Sequence, residues 1–214
     1  MVDGPPLPHR GTAFFSLRRL VRFLVTTGLL VLLAGILWPL APQGAAGTRQ
    51  DAESFYLKMQ VFERALKNGH YLDQVFTEQE INGYFAETLK STPQAVSNST
   101  ATLKLQAIRF QLLPGSFTVL ILAGLGPVQL SYRIDAEPLP PDNGRGFDIR
   151  IRRAHWGHIP LPPQPAQWMA GRIGKIFSRM ERERAILDHA TRLTVEAGSL
   201  SLGIGKEEAE ESAP

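Results

Sequence analysis

The sequence predicts an α+β protein carried on an N-terminal membrane helix. Three observations carry that expectation: an uncharged apolar run near the start, helical periodicity in the first and last thirds of the remainder, and alternating, turn-punctuated patterning between them. Helices segregated from an antiparallel sheet define the α+β class. The expected order is a transmembrane helix, two helices, a four- to five-stranded antiparallel meander, a long C-terminal helix and a closing strand. The boundaries are a basic leader (1–22), the membrane helix (23–41), a linker (42–50), one α+β domain (51–205) and an acidic disordered tail (206–214).

The apolar run spans Phe23 to Leu40 and carries no charge. At a rise of about 1.5 Å per residue it reaches about 27 Å, close to the roughly 30 Å of a bilayer's hydrocarbon core. A backbone in lipid must satisfy its own amides, so the run should be helical. Arg10, Arg18, Arg19 and Arg22 precede it against Asp3 alone, which orients the N-terminus toward the cytoplasm. Trp38 suits the interfacial belt, and Pro39 and Pro42 end the helix. A cleaved signal peptide is the rival reading, since Gly44-Ala45-Ala46 before Gly47 has the small residues of a cleavage site. In either case the domain occupies the same compartment.

The domain, roughly 165 residues, is long enough for one core. The chain has no cysteine, which excludes a thiol nucleophile, a thiolate metal site and a disulfide-stapled ectodomain. Its net charge is +3. The leader's arginines and the glutamates after Lys206 offset one another, so the body is only mildly basic and nucleic-acid binding is not expected.

From Asp51 to Lys67, the residues Phe55, Met59, Phe62 and Leu66 form one apolar stripe, and Asn68-Gly69 stops the helix. Thr77-Glu78-Gln79-Glu80 is a capping box, with Phe76 and Ile81 at the positions of a hydrophobic staple. That second helix continues through Tyr84, Phe85 and Leu89. A loop follows from Thr92-Pro93, in which Asn98-Ser99-Thr100 matches a glycosylation triplet that matters only in a eukaryotic secretory pathway.

The period then becomes two. Leu103, Leu105 and Ala107 give way to Ile108, Phe110 and Leu112, a slip that predicts a β-bulge. Pro114-Gly115-Ser116 turns the chain into a strand through Phe117, Val119, Ile121 and Ala123. Leu120 and Leu122 make it apolar on both faces. Val128, Leu130, Tyr132 and Ile134 alternate in the next strand, and Phe147, Ile149 and Ile151 in the one after the Pro138–Gly146 loop. Gly157-His158-Ile159-Pro160-Leu161-Pro162 leads toward a third helix starting near Pro165, with Trp168, Ile173, Ile176, Phe177 and Met180 on its buried side. A further helical piece runs through Ile186, Leu187 and Ala190, and Leu193–Ile204 closes the chain as a strand or hairpin about Gly198.

Three phrases carry a resemblance. Phe76-Thr77-Glu78-Gln79-Glu80-Ile81-Asn82, then Gly157-His158-Ile159-Pro160-Leu161-Pro162, then Thr194-Val195-Glu196-Ala197-Gly198-Ser199-Leu200 follow an N-terminal anchor. The order resembles that of uncharacterised bacterial single-pass proteins with an extracytoplasmic α+β domain, some similar to halves of tubular lipid-binding folds. The resemblance covers about residues 70–204. It implies a helix lying in a curved sheet and no catalytic residue.

Two surfaces are candidates for binding. Lys104, Arg109, Arg133, Arg150 and Arg152 fall on polar phases of the strands, with Arg153 adjoining, and together would make a cationic face for an anionic lipid or polymer. Asp135 and Asp148 are interleaved and would neutralise a merely solvated face. Phe117, Val119, Val128, Leu130, Phe147 and Ile149 would line an apolar groove if the helices leave a gap, and a core otherwise. His155 and His158 lack further ligands at zinc spacing, with His189 remote, so no metal or cofactor is expected. Glu78, Glu80 and Glu87 read as structural, and no nucleophile, phosphate-loop or dinucleotide motif is present. The expectation is a non-catalytic protein of the bacterial cytoplasmic membrane whose periplasmic domain binds a lipid, an anionic envelope polymer or a membrane-protein partner. The alternatives are an extracytoplasmic enzyme of unrecognised site and a structural spacer of an envelope complex.

Overall fold

The computed structural model describes residues 12–38, 40–91, 103–140, 146–164 and 181–205. Helix α1 spans Thr12–Leu37, and its stretch Arg18–Leu37, none of it buried, is long enough and apolar enough to cross a membrane. It begins within the leader and ends ahead of Pro39, because a residue that precedes proline is disfavoured in the α conformation. Trp38 N closes its last turn on Ala34 O at 2.9 Å.

Helix α2 (Arg49–Asn68) starts two residues before the expected Asp51. Its N-cap is Thr48, whose hydroxyl accepts from Asp51 N while Asp51 accepts from Thr48 N. These bonds, the side-chain one first, hold the Asp51 carboxyl below its usual range. The helix ends as expected at Gly69, which takes the left-handed conformation at φ 68°. Phe55, Met59 and Phe62 are buried and Leu66 packs against them, so the apolar stripe is the core face.

Strand β1 (Leu72–Thr77) was not expected. It pairs with a strand at the far end of the chain, and its own sequence carries too little alternation to announce that partner. Helix α3 (Glu78–Ser91) follows directly. The capping box forms as read: Thr77 N donates to Glu80 at 2.8 Å, and Glu80 N donates to Thr77 Oγ1 at 3.2 Å. Phe76 and Ile81 are both buried in one cluster, as a staple requires.

Strands β2 (Leu103–Leu113), β3 (Ser116–Leu125), β4 (Val128–Leu139), β5 (Asp148–Trp156) and β6 (Ile159–Pro160) form an antiparallel meander in that order. The β2 bulge lies between Leu105 and Ala107, where Gln106 is the extra residue. A second irregularity falls in the β4–β5 pairing between Asp135 and Ala136. The Gly157 phrase corrects the sequence reading. Gly157, at φ 56°, turns β5 into β6 with Trp156 opposite Ile159, so the phrase first completes the sheet. The long third helix, with Trp168, Ile173, Ile176, Phe177 and Met180, lies outside the described residues, as do the Asn98 triplet and the acidic tail.

The short helix α4 (Glu181–His189) leads into β7 (Ala190–Glu196) and β8 (Ser199–Ile204). The chain thus closes on a hairpin about Gly198, in a strand-rich C-terminal region. With β1 it makes a second antiparallel sheet, of order β1-β8-β7. Two apolar clusters share Phe85, Phe110 and Phe117. Rings run in contact from Phe76 through Phe55, Tyr84, Phe85 and Phe110 to Phe117, with centroids 4.5 to 6.5 Å apart. They tie the small sheet to the large one through α2 and α3.

The segment expected as a plain linker is a strap. Ala45 N donates to Glu78 Oε1, and Asn82 Nδ2 donates to Ala45 O at 2.8 Å. The same two side chains hold the free edge of β2: Leu112 N donates to Glu78 Oε2 at 2.7 Å, while Asn82 bonds both Phe110 N and Phe110 O. Glu78 and Asn82 are buried, one helical turn apart on α3, and stand where another strand would otherwise pair. Gly47 is required here, since a Cβ on it would lie 2.1 Å from Gly83 N.

Candidate functional site

Cavities lie on both sides of the large sheet. The first lies between α2, α3, α4, β8 and the start of β5. It has a volume of about 430 Å³, within the usual range of roughly 300–1,000 Å³ for ligand pockets. Its walls are apolar: Phe55 and Met59 from α2, Tyr84 and Phe85 from α3, Phe110 from β2, Phe147 before β5, and Leu200 and Leu202 from β8. Glu183, Arg184, Leu187 and Asp188 of α4 form a mixed rim. Tyr84 Oη donates to Glu183. Burial first, and then the Glu183 carboxylate, push the Tyr84 hydroxyl well above its usual range, so it stays a neutral donor.

The apolar groove read from the sequence does not assemble in this form. Of its six residues only Phe147 lines the cavity. Val119 is buried in the sheet's own core and Phe117 packs between the two clusters. Val128 and Leu130 pair with Leu125 and Ala123 toward the other end of β3, and Ile149 is 60% exposed. The reason is the register. The six are spread along the strands, at both ends of β3 and β4, and α2, α3 and β8 supply most of the cavity's described walls instead.

The second cavity, about 180 Å³, lies on the opposite face of the sheet beneath the strap. Cross-strand register places Arg109 of β2, Leu120 of β3, Arg133 of β4 and His155 of β5 in one row. Arg109, Leu120 and Arg133 line the cavity with Leu40, Ala41 and Gln43 of the strap, Gln111, Thr118 and His158. Leu120 is buried there, which accounts for a strand that is apolar on both faces.

The predicted cationic face therefore divides. Arg150 and Arg152 both reach Glu137, the former at 3.5 Å. Arg153 sits opposite Asp135, and exposed Lys104 opposite Gly124 lies at the far end of β2. Arg109 has no ion-pair partner among the described residues. Arg133 Nε lies 3.5 Å from Asp135 Oδ1 without hydrogen-bond geometry, so that buried nitrogen is unpartnered. His155 Nδ1 is buried and unpartnered as well. Burial, and then the Arg133 charge, hold the His155 imidazole below its usual pKa, which favours the neutral ring.

The acidic candidates have structural work. Glu80 is buried and accepts from Lys58 Nζ at 2.8 Å, from Ser54 and from Thr77 N. Burial pushes its carboxyl up, but these bonds outweigh it and the net shift is downward. Glu87 pairs with Lys90 at 2.7 Å. Glu78, read as structural from the sequence without a named partner, is an anchor point of the strap; its four-residue spacing to Asn82 was the available signal. No group of three or more His, Asp or Glu side chains is placed to hold a metal among the described residues. The chain matches no protein-family model, and no curated protein or solved structure matches it.

Proposed function

We propose that this is a non-catalytic single-pass protein of the bacterial cytoplasmic membrane whose extracytoplasmic domain binds a lipid, taking an acyl chain into the cavity between α2, α3, α4 and β8. The observation that carries this reading is the cavity itself: aromatic and aliphatic walls of ligand-sized volume, with the charged groups among its described lining residues confined to the α4 rim. Burying a methylene is worth about 0.8 kcal/mol, so a chain of several carbons supplies useful affinity without any catalytic apparatus. The exposed apolar helix α1 and its arginine-rich leader support anchoring with the N-terminus in the cytoplasm.

The test is native mass spectrometry of the full chain released from membranes in mild detergent. A retained lipid is expected, and Leu187→Trp, which adds bulk at an exposed rim position, should reduce its occupancy severalfold without lowering the melting temperature. A lipid-free wild type that also ignores added fatty acid would end the proposal.

A further inference from the structure

The cavity beneath the strap is set close to the end of α1. His158 N donates to Gly35 O at 2.9 Å, and Leu40 N donates to Ser131 Oγ at 3.2 Å. Leu40, which lines the cavity, is three residues beyond the last residue of α1, so it lies within about 10 Å of the helix end. The polar layer of a bilayer leaflet is roughly 5–8 Å thick. If α1 spans the membrane, this cavity stands at head-group level.

Its chemistry is that of an oxyanion site. Arg109 and Arg133 come from strands on either side of β3, about 10 Å apart at the backbone. Two guanidinium forks entering from opposite sides can converge on one tetrahedral anion, and each offers paired N–H donors in the geometry that phosphate accepts. Leu120 is buried below it and Leu40 and Ala41 lie beside it, so the floor of the site is apolar and charge interactions near it are stronger than in open water. Among the described residues, Arg109 and Arg133 line the site, Arg153 stands opposite Asp135 in the strand register, and Asp135 is the carboxylate beside Arg133. That carboxylate already accepts from Thr118 Oγ1 at 2.9 Å and leaves Arg133 Nε unbonded.

We infer that Arg109 and Arg133, with the strap as lid and Leu120 as floor, bind a phosphate group, supplied by the head group of an anionic phospholipid in the leaflet that α1 enters. The site is on the other face of the sheet from the acyl cavity and does not depend on it; only the lipid source rests on α1 being the anchor.

The experiment uses the full chain in detergent, with phosphatidylglycerol, phosphatidylcholine and inorganic phosphate as probes and lipid retention in native mass spectrometry as the readout. Phosphatidylglycerol should be retained over phosphatidylcholine, and Arg109→Gln and Arg133→Gln should each lower its retention about tenfold or more, as expected for loss of a charged hydrogen-bond partner. Arg150→Gln/Arg152→Gln, changed on the same sheet but paired with Glu137, should retain wild-type binding. Arg109→Lys keeps the charge without the fork and should fall between, while melting temperatures check folding. Displacement of the lipid by inorganic phosphate at comparable concentration would also support the site and make free phosphate its source. Retention unchanged in both pocket variants, or lost equally in the Arg150/Arg152 variant, would overturn the assignment. Leu187→Trp separates the two sites: it should lower acyl-chain occupancy and leave phosphate competition intact.

Discussion

The amide of His158 donates to the carbonyl of Gly35, 2.9 Å away, and so bonds the β5–β6 turn to the last turn of α1. A terminal helix carbonyl that would otherwise seek water is satisfied by the domain. Gly157 makes the approach possible. It holds φ 56°, and a Cβ there would stand 2.4 Å from Gly35 O. The end of the helix is therefore bonded to the sheet as well as joined to it by the strap.

Gly157→Ala should break that fixation. The left-handed conformation alone costs a residue with a side chain about 1–3 kcal/mol, and the clash with α1 adds to it. The expected outcome is a domain that still folds but has a strap open to protease between residues 40 and 47. Limited proteolysis of the full chain in detergent measures it; a cleavage pattern identical to wild type would show that the turn does not hold the helix.

Asn82 should be a sensitive polar position. Its side chain bonds Phe110 N, Phe110 O and Ala45 O at 2.7 to 2.8 Å in a buried setting. An unpartnered buried group costs about 1–3 kcal/mol, so Asn82→Ala should lose on the order of 3 kcal/mol or more. Asn82→Asp keeps the acceptor for Phe110 N but loses both donated bonds, and should be nearly as damaging. Chemical denaturation of the full chain reads both. A loss below about 1 kcal/mol would mean that the strap and the β2 edge find other partners.

Local signals were the legible ones. The Thr77 box, the Gly69 stop, the bulge near Gln106 and the hairpin about Gly198 each depend on residues a few positions apart, and each forms where the sequence placed it. What was hidden depends on partners far along the chain. Strand β1 exists because Phe76 meets Leu200, and the partners of Glu78 are Ala45 and Leu112, which converge on it from distant segments. The arginines obeyed the strand phase, yet whether each is free or paired is set by cross-strand neighbours and by Glu137, which alternation alone does not assign.

Acid should weaken the start of α3 through Glu80. Its carboxyl is held below the ordinary 4.5 by Lys58, Ser54 and Thr77 N, against the opposing effect of burial. A folded-state pKa below the unfolded value means stability that is present above the unfolded value and is lost as pH falls through the folded one. The decline should therefore begin near pH 4.5 and continue below it. Glu80→Gln should be less stable than wild type at neutral pH and should flatten that part of the curve. Denaturation midpoints across the acid range check it, and an unchanged slope in Glu80→Gln would assign the acid sensitivity to other carboxylates.

The strap bears on how the N-terminus matures. Gly44-Ala45-Ala46-Gly47 has the small residues of a signal-peptidase site, but its small size has a second cause in the fold. A Cβ on Gly44 would lie 2.6 Å from Phe110 O, one on Gly47 2.1 Å from Gly83 N, and Ala45 bonds both Glu78 and Asn82. Cleavage before Gly47 would remove Ala45 and leave Glu78 Oε1 and one Asn82 bond unpartnered inside the protein. Uncleaved chain is therefore expected: the protein should remain in the membrane after carbonate washing, with its N-terminal peptide ahead of α1. Intact-mass measurement decides the matter, since a soluble product beginning near Gly47 would show that the strap is dispensable. A Gly47→Ala variant separates the two causes: alanine preserves a cleavable site but clashes with α3, so it should leave processing unchanged while lowering the melting temperature.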